Sequence, residues 1–236
     1  MREIQIYENA DILCEELAEA LPIPTSISEP IHIALSGGST PTLFFEKMAL
    51  IDDPDMFKNT HFYWVDERHV PEDDPESNYG IFRRILVDTG IVPVKNVHPI
   101  KYHADIHQMA ANYEQELRQF APFMDDLPMF DEIILGVGED GHTASIFPDR
   151  LDLFETTDIV ATTRHPMTGQ GRVTLTGNTI NNCYGVSVLC TGAKKRRILD
   201  EVLRENKPEY PISHVKLQQF ATVIFKLDLA ASRYSL

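Results

Sequence analysis

The most chemically informative segment is LGVGEDGHTASIFP, residues 135–148, which places a carboxylate and an imidazole two residues apart among glycines. Histidine is the side chain best suited to move protons near neutral pH, so His142 is a candidate general acid–base. Asp140, two residues earlier, could orient the ring or stabilise its protonated form. A structural histidine held in a turn is the alternative, and the position after an apolar run favours the catalytic role. Ser145 is disfavoured as a nucleophile because the segment is not a G-x-S-x-G elbow.

The same segment contains a literal G-x-G-x-x-G pattern from Gly136 to Gly141, which occurs in dinucleotide sites. Glu139 and Asp140 would bring negative charge to the place where a pyrophosphate binds. Pro148 ends the following helical pattern early, so the long crossover helix of a dinucleotide fold is missing. We therefore exclude a dinucleotide site here.

A second segment has the composition of an anion-binding loop. The apolar run IHIAL, residues 31–35, leads into Ser36, Gly37, Gly38, Ser39, Thr40 and Pro41, and a helical pattern follows. The glycines let the backbone approach a ligand, Ser39 or Thr40 could cap the helix, and Pro41 suits its first turn. Free N–H groups at a helix start favour phosphate, although a capped tight turn would account for the same residues. The Walker spacing and its lysine are missing, which disfavours an ATPase.

Basic residues supply further candidate anion ligands. The segment TGAKKRR, residues 191–197, follows the apolar run GVSVLC and puts four cations in the first turn of a predicted helix. The helix dipole disfavours cations there, so a bound anion would explain them, with Lys195 or Lys194 reaching it. A solvated run of charge is the ordinary explanation. Arg172, before the strand pattern VTLT, is another candidate ligand that could equally be a surface residue.

A third cluster follows HFYWV, residues 61–65, and consists of Asp66, Glu67, Arg68 and His69. Asp66 could hold substrate hydroxyls or orient a base, and Arg68 could bind an anion with two hydrogen bonds. An exposed polar loop is the alternative for each residue taken singly. The segment SNYG, residues 77–80, is expected to pack beside this cluster.

Short apolar runs alternating with helical patterns must position these segments. The predicted strands are IHIAL (31–35), HFYWV (61–65), DEIILGV (131–137), VTLT (173–176), GVSVLC (185–190) and TVIFKL (222–227), and the main predicted helices cover residues 9–21, 104–120 and 193–205. Several strands are apolar on consecutive residues, as strands buried on both faces are. The alternation predicts an α/β protein with a mostly parallel sheet in a layered fold. Ligands of such sheets lie at the carboxyl ends of the strands, where all three clusters occur.

Composition restricts the classes of partner. The chain has 236 residues and a formal net charge of −15, which disfavours nucleic acid and anionic membranes as partners. The first twenty residues carry acidic side chains, unlike a signal peptide, and no apolar run approaches the ~20 residues of a membrane span. We expect a cytoplasmic protein that forms one domain over residues 1–236, because no linker divides the chain.

Neither a metal site nor a disulfide framework is predicted. Cys14, Cys183 and Cys190 are odd in number and scattered, with no CxxC pair. His103 and His107 have the i,i+4 spacing that could hold a metal on a helix, but no HExxH glutamate accompanies them. Solvent-exposed histidines are the expected outcome.

Taken together, these segments resemble the 6-phosphogluconolactonase family, relatives of the glucosamine-6-phosphate deaminases. The matching motifs are LSGGSTP (35–41), VDER-HVP (65–71), SNYG (77–80), LGVGEDGHTASIFP (135–148), RVTLT (172–176), TGAKK (191–195) and FKLDLAAS (225–232). The resemblance implies a layered α/β/α fold of the deaminase/isomerase type, no cofactor, and hydrolysis of a phosphorylated sugar lactone in the oxidative pentose phosphate pathway. The tail departs slightly, since Phe225 and Lys226 stand where the family often has Trp and an apolar residue.

The resemblance also implies roles for individual residues. The loop of Gly37, Gly38, Ser39 and Thr40 would hold the substrate phosphate together with Lys195, and Asp66, Arg68, Asp140 and His142 would line the reacting end. The deaminase branch has a glutamate near the end of its GHxAFNEP segment, where this chain has Phe147. One carboxylate for proton transfer is therefore absent, which favours lactone hydrolysis.

We expect His142 to act as general base on a water that attacks the lactone carbonyl, with Asp140 or Asp66 orienting its ring. Arg68, Arg172 or loop N–H groups would stabilise the oxyanion. The alternatives are an amino-sugar phosphate deaminase or isomerase, and a non-catalytic sugar-phosphate sensor. Ammonia release from glucosamine 6-phosphate distinguishes the first, and a sensor would normally carry an additional DNA-binding or partner-binding segment.

Overall fold

The computed structural model describes residues 2–22, 29–53, 55–205, 207–216 and 221–233. Within these residues, seven strands form a sheet in which every neighbouring pair is parallel. A second sheet has three antiparallel strands. These strands come from segments of the chain that lie between strands of the main sheet. The predicted α/β fold with a mostly parallel sheet is confirmed.

The elements are named in chain order. The strands are β1 (Arg2–Tyr7), β2 (Ile31–Leu35), β3 (Thr60–Trp64), β4 (Asp66–Arg68), β5 (Val97–His98), β6 (Phe123–Met124), β7 (Leu127–Pro128), β8 (Glu132–Gly136), β9 (Val160–Arg164), β10 (Gly171–Leu175), β11 (Gly185–Cys190) and β12 (Thr222–Asp228). The α-helices are α1 (Ala10–Glu19), α2 (Ser39–Met48), α3 (Asn78–Phe82), α4 (Ile106–Phe120), α5 (Gly177–Ile180) and α6 (Arg196–Leu203). A π turn (Arg83–Val87) extends α3, and 3₁₀ turns cover Val94–Asn96, Pro148–Phe154, Ala193–Lys195 and Pro211–His214.

The order of the main sheet is β1-β12-β11-β8-β2-β3-β5. Its central strands are the consecutive apolar runs seen in the sequence, and Ile33, Ile134 and Val188 on three of them are fully buried. Strand β1 was not predicted, because it lies at the sheet edge and half of its side chains are exposed. An edge strand buries too little surface to produce the apolar run on which the prediction rests.

The carboxyl ends of β2, β3, β8 and β11 lie at one edge of the sheet because the strands are parallel. Helix α4 fixes the end of β3 through Tyr113, whose hydroxyl donates to the Trp64 carbonyl at 2.7 Å and accepts from the Trp64 N–H at 2.9 Å. Both residues are buried. The chain therefore leaves β3 in a fixed direction just before Asp66.

Asp66–Arg68 corrects one prediction, since this segment is a short strand rather than a loop. It pairs with β10, so that Asp66 lies opposite Thr174 and Arg68 lies opposite Arg172. The sequence motif was too short and too polar to indicate a strand, and its partner is about a hundred residues away. The pairing satisfies backbone groups that would otherwise be buried without partners.

Among the helices that the structure describes, none is long and apolar enough to cross a membrane. The three cysteine side chains are buried and unpaired with one another.

Candidate active site

A cavity of about 440 Å³ opens at the carboxyl edge of the main sheet. All the site residues proposed from the sequence except Asp140 line it: Gly37, Gly38, Ser39, Thr40, Asp66, Arg68, His142, Arg172 and Lys195. Asp140 lies behind His142 and contacts its ring. The tertiary structure thus collects five separate sequence segments around one space.

His142 and Asp140 form a hydrogen-bonded pair. Asp140 Oδ1 lies 2.6 Å from His142 Nδ1, and the same oxygen accepts the His142 backbone N–H at 3.2 Å. Burial tends to raise the pKa of Asp140, but the hydrogen bond and charge of His142 outweigh it and lower that pKa below its usual value. An ionised carboxylate can only accept, so the geometry favours the tautomer in which Nδ1 carries the proton and Nε2 has the lone pair.

The turn that carries this pair depends on Gly138. A Cβ atom on this residue would lie 2.1 Å from His142 Nδ1 and 2.5 Å from Asp140 Oδ1, so only glycine fits. Gly138 N–H donates to the His142 carbonyl at 2.8 Å and closes the turn. Two residues beyond the histidine, Ala144 has a φ of 49°, a left-handed conformation that is unfavourable for a residue with a side chain. Such strain is typical of loops that hold functional groups.

Asp66 contacts a different partner from the one proposed. Its Oδ2 accepts a hydrogen bond from Ser145 Oγ at 2.6 Å, and both side chains are buried. Thr174 Oγ1 accepts the Ser145 backbone N–H at 3.3 Å and ties this contact to β10. Of the two carboxylates considered for orienting His142, the structure places Asp140 on the ring and Asp66 on Ser145. Ser145 Oγ contacts a carboxyl group rather than a histidine, which is not the arrangement of an activated serine nucleophile.

Glu67 is a buried carboxylate to which the sequence assigned no role. It accepts four hydrogen bonds, from the backbone N–H groups of Arg68, Asn78 and Tyr79 and from Ser77 Oγ, at 2.7–3.0 Å. Burial raises the pKa of Glu67 to about 7, against the opposing effect of these donors. These bonds hold the start of α3 against β4. The expected packing of SNYG beside the cluster of residues 66–69 is therefore confirmed.

Arg68 and Arg172 lie directly opposite each other on β4 and β10. Arg68 Nη1 donates to the Glu76 carbonyl at 2.6 Å, and Arg172 Nη1 donates to Gln170 Oε1. Burial, followed by the charge of Arg68, lowers the pKa of Arg172. Among the described residues, neither guanidinium lies within ion-pair distance of a carboxylate. Two adjacent cations at a cavity wall favour the binding of an anion.

Helix α2 begins at Ser39 and points its first turn at the cavity. The expectation that Ser39 or Thr40 caps it is wrong: Gly38 is the N-cap, with a φ of 111°, and glycine has no side chain to accept from the first turn. The N–H groups at this helix start are therefore not occupied by a cap and suit an anion. Thr40 Oγ1 lies 2.6 Å from Thr191 Oγ1 and joins this loop to the one after β11.

Lys194 and Lys195 differ in their surroundings. Lys195 lines the cavity, whereas Lys194 has 83% of its side chain exposed and lies 3.9 Å from Glu139. Both lysines belong to a 3₁₀ turn, and α6 begins only at Arg196, which corrects their predicted place in the first turn of the helix. Asp228 fixes the approach to this turn by accepting the Gly192 N–H with both carboxylate oxygens at 3.0 Å.

His165 also lines the cavity and was missed by the sequence analysis. Its Nδ1 accepts the backbone N–H groups of Met167 and Thr168 at 3.2 and 3.3 Å, and its ring packs edge-on against Phe147 at 5.2 Å. Phe147 also packs against the His142 ring, with the two ring centroids 5.0 Å apart. Burial and the nearby charge of Arg172 lower the pKa of His165. In the sequence, the dipeptide His165-Pro166 indicates only a turn. Nothing in it indicates that the hairpin of β9 and β10 brings His165 to the cavity.

Within the described ranges, no group of three or more His, Cys, Asp or Glu side chains is arranged to hold a metal ion. His103 precedes α4 rather than lying on it, so the i,i+4 relationship to His107 is not a helical one. The His103 ring instead accepts the backbone N–H of Asp105 at 3.0 Å.

Comparison with known proteins gives a consistent result. The model of the family described as glucosamine-6-phosphate isomerases/6-phosphogluconolactonase matches residues 7–224. The chain is 37% identical over 232 residues to a 6-phosphogluconolactonase of Haemophilus influenzae, covering 96% of this chain and 97% of that protein. The crystal structure of a devB protein superposes with a TM-score of 0.91 at 33% identity, covering 98% of both chains. A 6-phosphogluconolactonase of Thermotoga maritima has a TM-score of 0.80 at 31% identity, covering 96% of this chain and all of that one.

Proposed function

This chain belongs to the glucosamine-6-phosphate isomerase/6-phosphogluconolactonase family, and from that premise we propose that it hydrolyses 6-phospho-D-glucono-1,5-lactone to 6-phosphogluconate in the oxidative pentose phosphate pathway. The observation that carries this proposal is the oriented pair of Asp140 and His142 in a cavity that also contains an uncapped helix start and Lys195. A proton-transfer group and a phosphate site in one space suit a phosphorylated ester.

His142 acts as the general base. Its Nε2 removes a proton from a water molecule, whose oxygen then attacks the lactone carbonyl carbon and forms a tetrahedral oxyanion. When the carbon–ring-oxygen bond breaks, the same imidazolium returns the proton to the departing oxygen. Asp140 holds the ring through Nδ1 and stabilises the transient imidazolium with its charge. The water proton thus ends on the new hydroxyl, and the balance requires no co-reactant.

The phosphate lies at the start of α2, where the loop of Gly37, Gly38, Ser39 and Thr40 supplies backbone N–H groups and Lys195 supplies charge. Arg68 and Arg172 lie side by side at the cavity wall and donate hydrogen bonds to oxygens of the substrate. Their positive charges also favour the oxyanion that forms during the reaction. Asp66, held by Ser145, contacts the substrate directly and does not orient His142.

The rival reaction within the family is amino-sugar phosphate deamination. The ring of Phe147, packed against His142, occupies the position where the deaminase motif has its glutamate. The apolar ring of Phe147 cannot transfer a proton. The pair of His142 and Asp140 is sufficient for hydrolysis of an activated ester. The net charge of −15 disfavours nucleic acid and anionic membranes as partners. We propose that the enzyme acts on its small-molecule substrate in the cytoplasm.

A rapid-mixing assay tests the proposal. Lactone hydrolysis is measured with and without the protein against the spontaneous reaction, and ammonia release from glucosamine 6-phosphate is measured in parallel. We expect accelerated hydrolysis and no ammonia. Ammonia release without lactonase activity would assign the deaminase reaction, and binding of both compounds without turnover would assign the sensor.

A further inference from the structure

The ring of His165 lies at the same end of the cavity as His142. Both residues line the cavity, and both rings pack against Phe147, with centroid distances of 5.2 Å for His165 and 5.0 Å for His142. The His165 side chain is partly exposed, and part of its surface belongs to the cavity wall. Proton transfer by His142 and Asp140 leaves this second imidazole without a role.

Two backbone N–H groups indicate which nitrogen of His165 carries the proton. Nδ1 lies 3.2 Å from the Met167 nitrogen and 3.3 Å from the Thr168 nitrogen. A backbone N–H can only donate, so Nδ1 accepts, and the geometry favours the neutral tautomer with its proton on Nε2. Protonation of Nδ1 would break both hydrogen bonds, and burial and the charge of Arg172 also lower the pKa of His165. The ring is therefore a neutral N–H donor near neutral pH.

The hairpin of β9 and β10 holds the ring in this orientation. The His165 N–H donates to the Gln170 carbonyl at 2.9 Å, and the Gly169 N–H donates to the His165 carbonyl at 2.8 Å. The Gln170 side chain joins the hairpin to the site, because its Nε2 donates to Glu76 Oε2 at 2.8 Å and its Oε1 accepts from Arg172 Nη1. Nδ1 of His165 faces the turn, and among the described residues none accepts a hydrogen bond from Nε2. The Nε2–H is therefore available to a ligand.

A neutral N–H donor held in place suits an oxygen that gains charge during the reaction. When water attacks the lactone, the carbonyl oxygen becomes an oxyanion, and donors oriented in advance stabilise that charge strongly. The charges of Arg172, His142, Asp140 and Arg68 all influence the pKa of His165, so its ring lies among the groups of the reacting end. A neutral donor also adds no further positive charge beside the two arginines.

We propose that His165 is a further catalytic residue, whose Nε2–H donates to the carbonyl oxygen of the lactone and stabilises the oxyanion together with Arg68 and Arg172. This inference rests on the proposed function and deepens it, because it names a donor for the oxygen that gains charge. A hydrogen bond to a sugar hydroxyl is the alternative. That bond would be equally strong in the ground state and the transition state, so its loss would change KM rather than kcat.

Two variants separate the donor from the turn that holds it. In His165→Ser, the hydroxyl can still accept from the N–H groups of Met167 and Thr168, but no donor reaches the cavity. In His165→Gln, the amide supplies an N–H at about the reach of Nε2. We expect kcat to fall about 10- to 100-fold in His165→Ser with little change in KM, and His165→Gln to recover part of that loss. Steady-state kinetics, corrected for spontaneous hydrolysis, and thermal melts provide the measurements.

Met167→Ala is the matched control, since Met167 lies in the same turn, is 88% exposed and does not line the cavity. It should keep the kcat and KM of the wild type. A wild-type kcat in His165→Ser, with or without a loss in His165→Gln, would show that the ring serves only the turn and would overturn the inference. A raised KM with unchanged kcat would assign the donor to a hydroxyl and would also overturn it. A wild type that does not accelerate lactone hydrolysis would refute the proposed function itself.

Discussion

The carboxylate of Asp140 lies 2.6 Å from Nδ1 of His142, so one short turn holds both the proton-transfer group and the acid that orients it. Asp66, the other acid at the cavity, is bound to Ser145 instead. The two acids thus have different partners, which supports our proposal that Asp140 acts with His142 in proton transfer and that Asp66 binds the substrate.

His142→Ala should leave the fold intact and reduce kcat by roughly 10²–10⁴-fold, the range expected for the loss of a general acid–base. The fold should survive because the His142 side chain lies at the cavity rather than in the core. Steady-state kinetics and a thermal melt check both statements. His103→Ala is a suitable control because that histidine is exposed and does not line the cavity. A folded His142 variant with near wild-type kcat would remove this residue from the mechanism.

Asp140→Asn and Asp66→Asn should affect different kinetic constants. The first removes the charge that fixes the His142 tautomer, so we expect kcat to fall by roughly 10²-fold or more. The second removes the charge of a substrate-binding group bound to Ser145, so it should act mainly through KM. Measuring kcat and KM separately for each variant decides the question. Equal kcat losses in the two variants would contradict the separate roles.

Lys195→Ala should weaken phosphate binding, whereas Lys194→Ala should not, because only Lys195 lines the cavity. A ligand at about 100 times its Kd stabilises the native state by ~2.7 kcal/mol, which corresponds to a rise in Tm of about 5–10 °C for a chain of this size. Thermal melts with 6-phosphogluconate and with unphosphorylated gluconate provide the measurement. We expect the full shift in Lys194→Ala, a reduced shift in Lys195→Ala, and little shift with gluconate. A full shift in Lys195→Ala would exclude this lysine as a phosphate ligand.

Stability should fall as the pH drops below neutrality because of a buried histidine cluster away from the cavity. His32 Nδ1 lies 3.0 Å from Tyr63 Oη, and His61 Nδ1 lies 2.9 Å from His98 Nε2. Burial and the neighbouring histidines lower the pKa values of His32 and His61 to about 4. The unfolded chain binds protons at these sites near pH 6.5, so stabilisation is complete above that pH and is lost as the pH falls toward 4.

His61→Gln tests this dependence, since glutamine keeps a donor without titrating. Urea unfolding of both proteins between pH 7.5 and 5 gives the difference in free energy of unfolding. We expect the wild type to lose about 1 kcal/mol per pH unit more than the variant across this interval. The difference also cancels the opposite contribution of Glu67, whose raised pKa makes the folded state bind protons more tightly. Identical pH dependence in the two proteins would show that His61 is not held neutral.

Activity should survive exhaustive chelation. Water attack on an activated ester by a histidine base requires no Lewis acid, and the oriented pair of Asp140 and His142 supplies the proton transfer. The measurement is kcat before and after treatment with EDTA and removal of the chelator. Loss of activity that a divalent ion restores would place a metal in the mechanism.

The class of fold, and the loops in which we propose that the chemistry occurs, could be predicted from local patterns in the sequence. Buried parallel strands appear as consecutive apolar runs, so the central strands β2, β3, β8, β11 and β12 were predicted to within two residues at either end. The pairing of Asp140 with His142 could be predicted equally well, because the two residues are two positions apart and a glycine-rich turn can bring them together. Local pattern is sufficient wherever the interacting groups are close along the chain.

Contacts between residues that are distant along the chain could not be predicted from such patterns. Asp66 and Ser145 are 79 positions apart, and their contact depends on strand order and on the register between β4 and β10. The same register sets Arg68 against Arg172, and the placement of α3 turns the Asn78 amide toward Gly37. The order and register of strands are set by the packing of the whole sheet, because a shift of one residue would exchange its two faces. No local pattern of residue types contains that information.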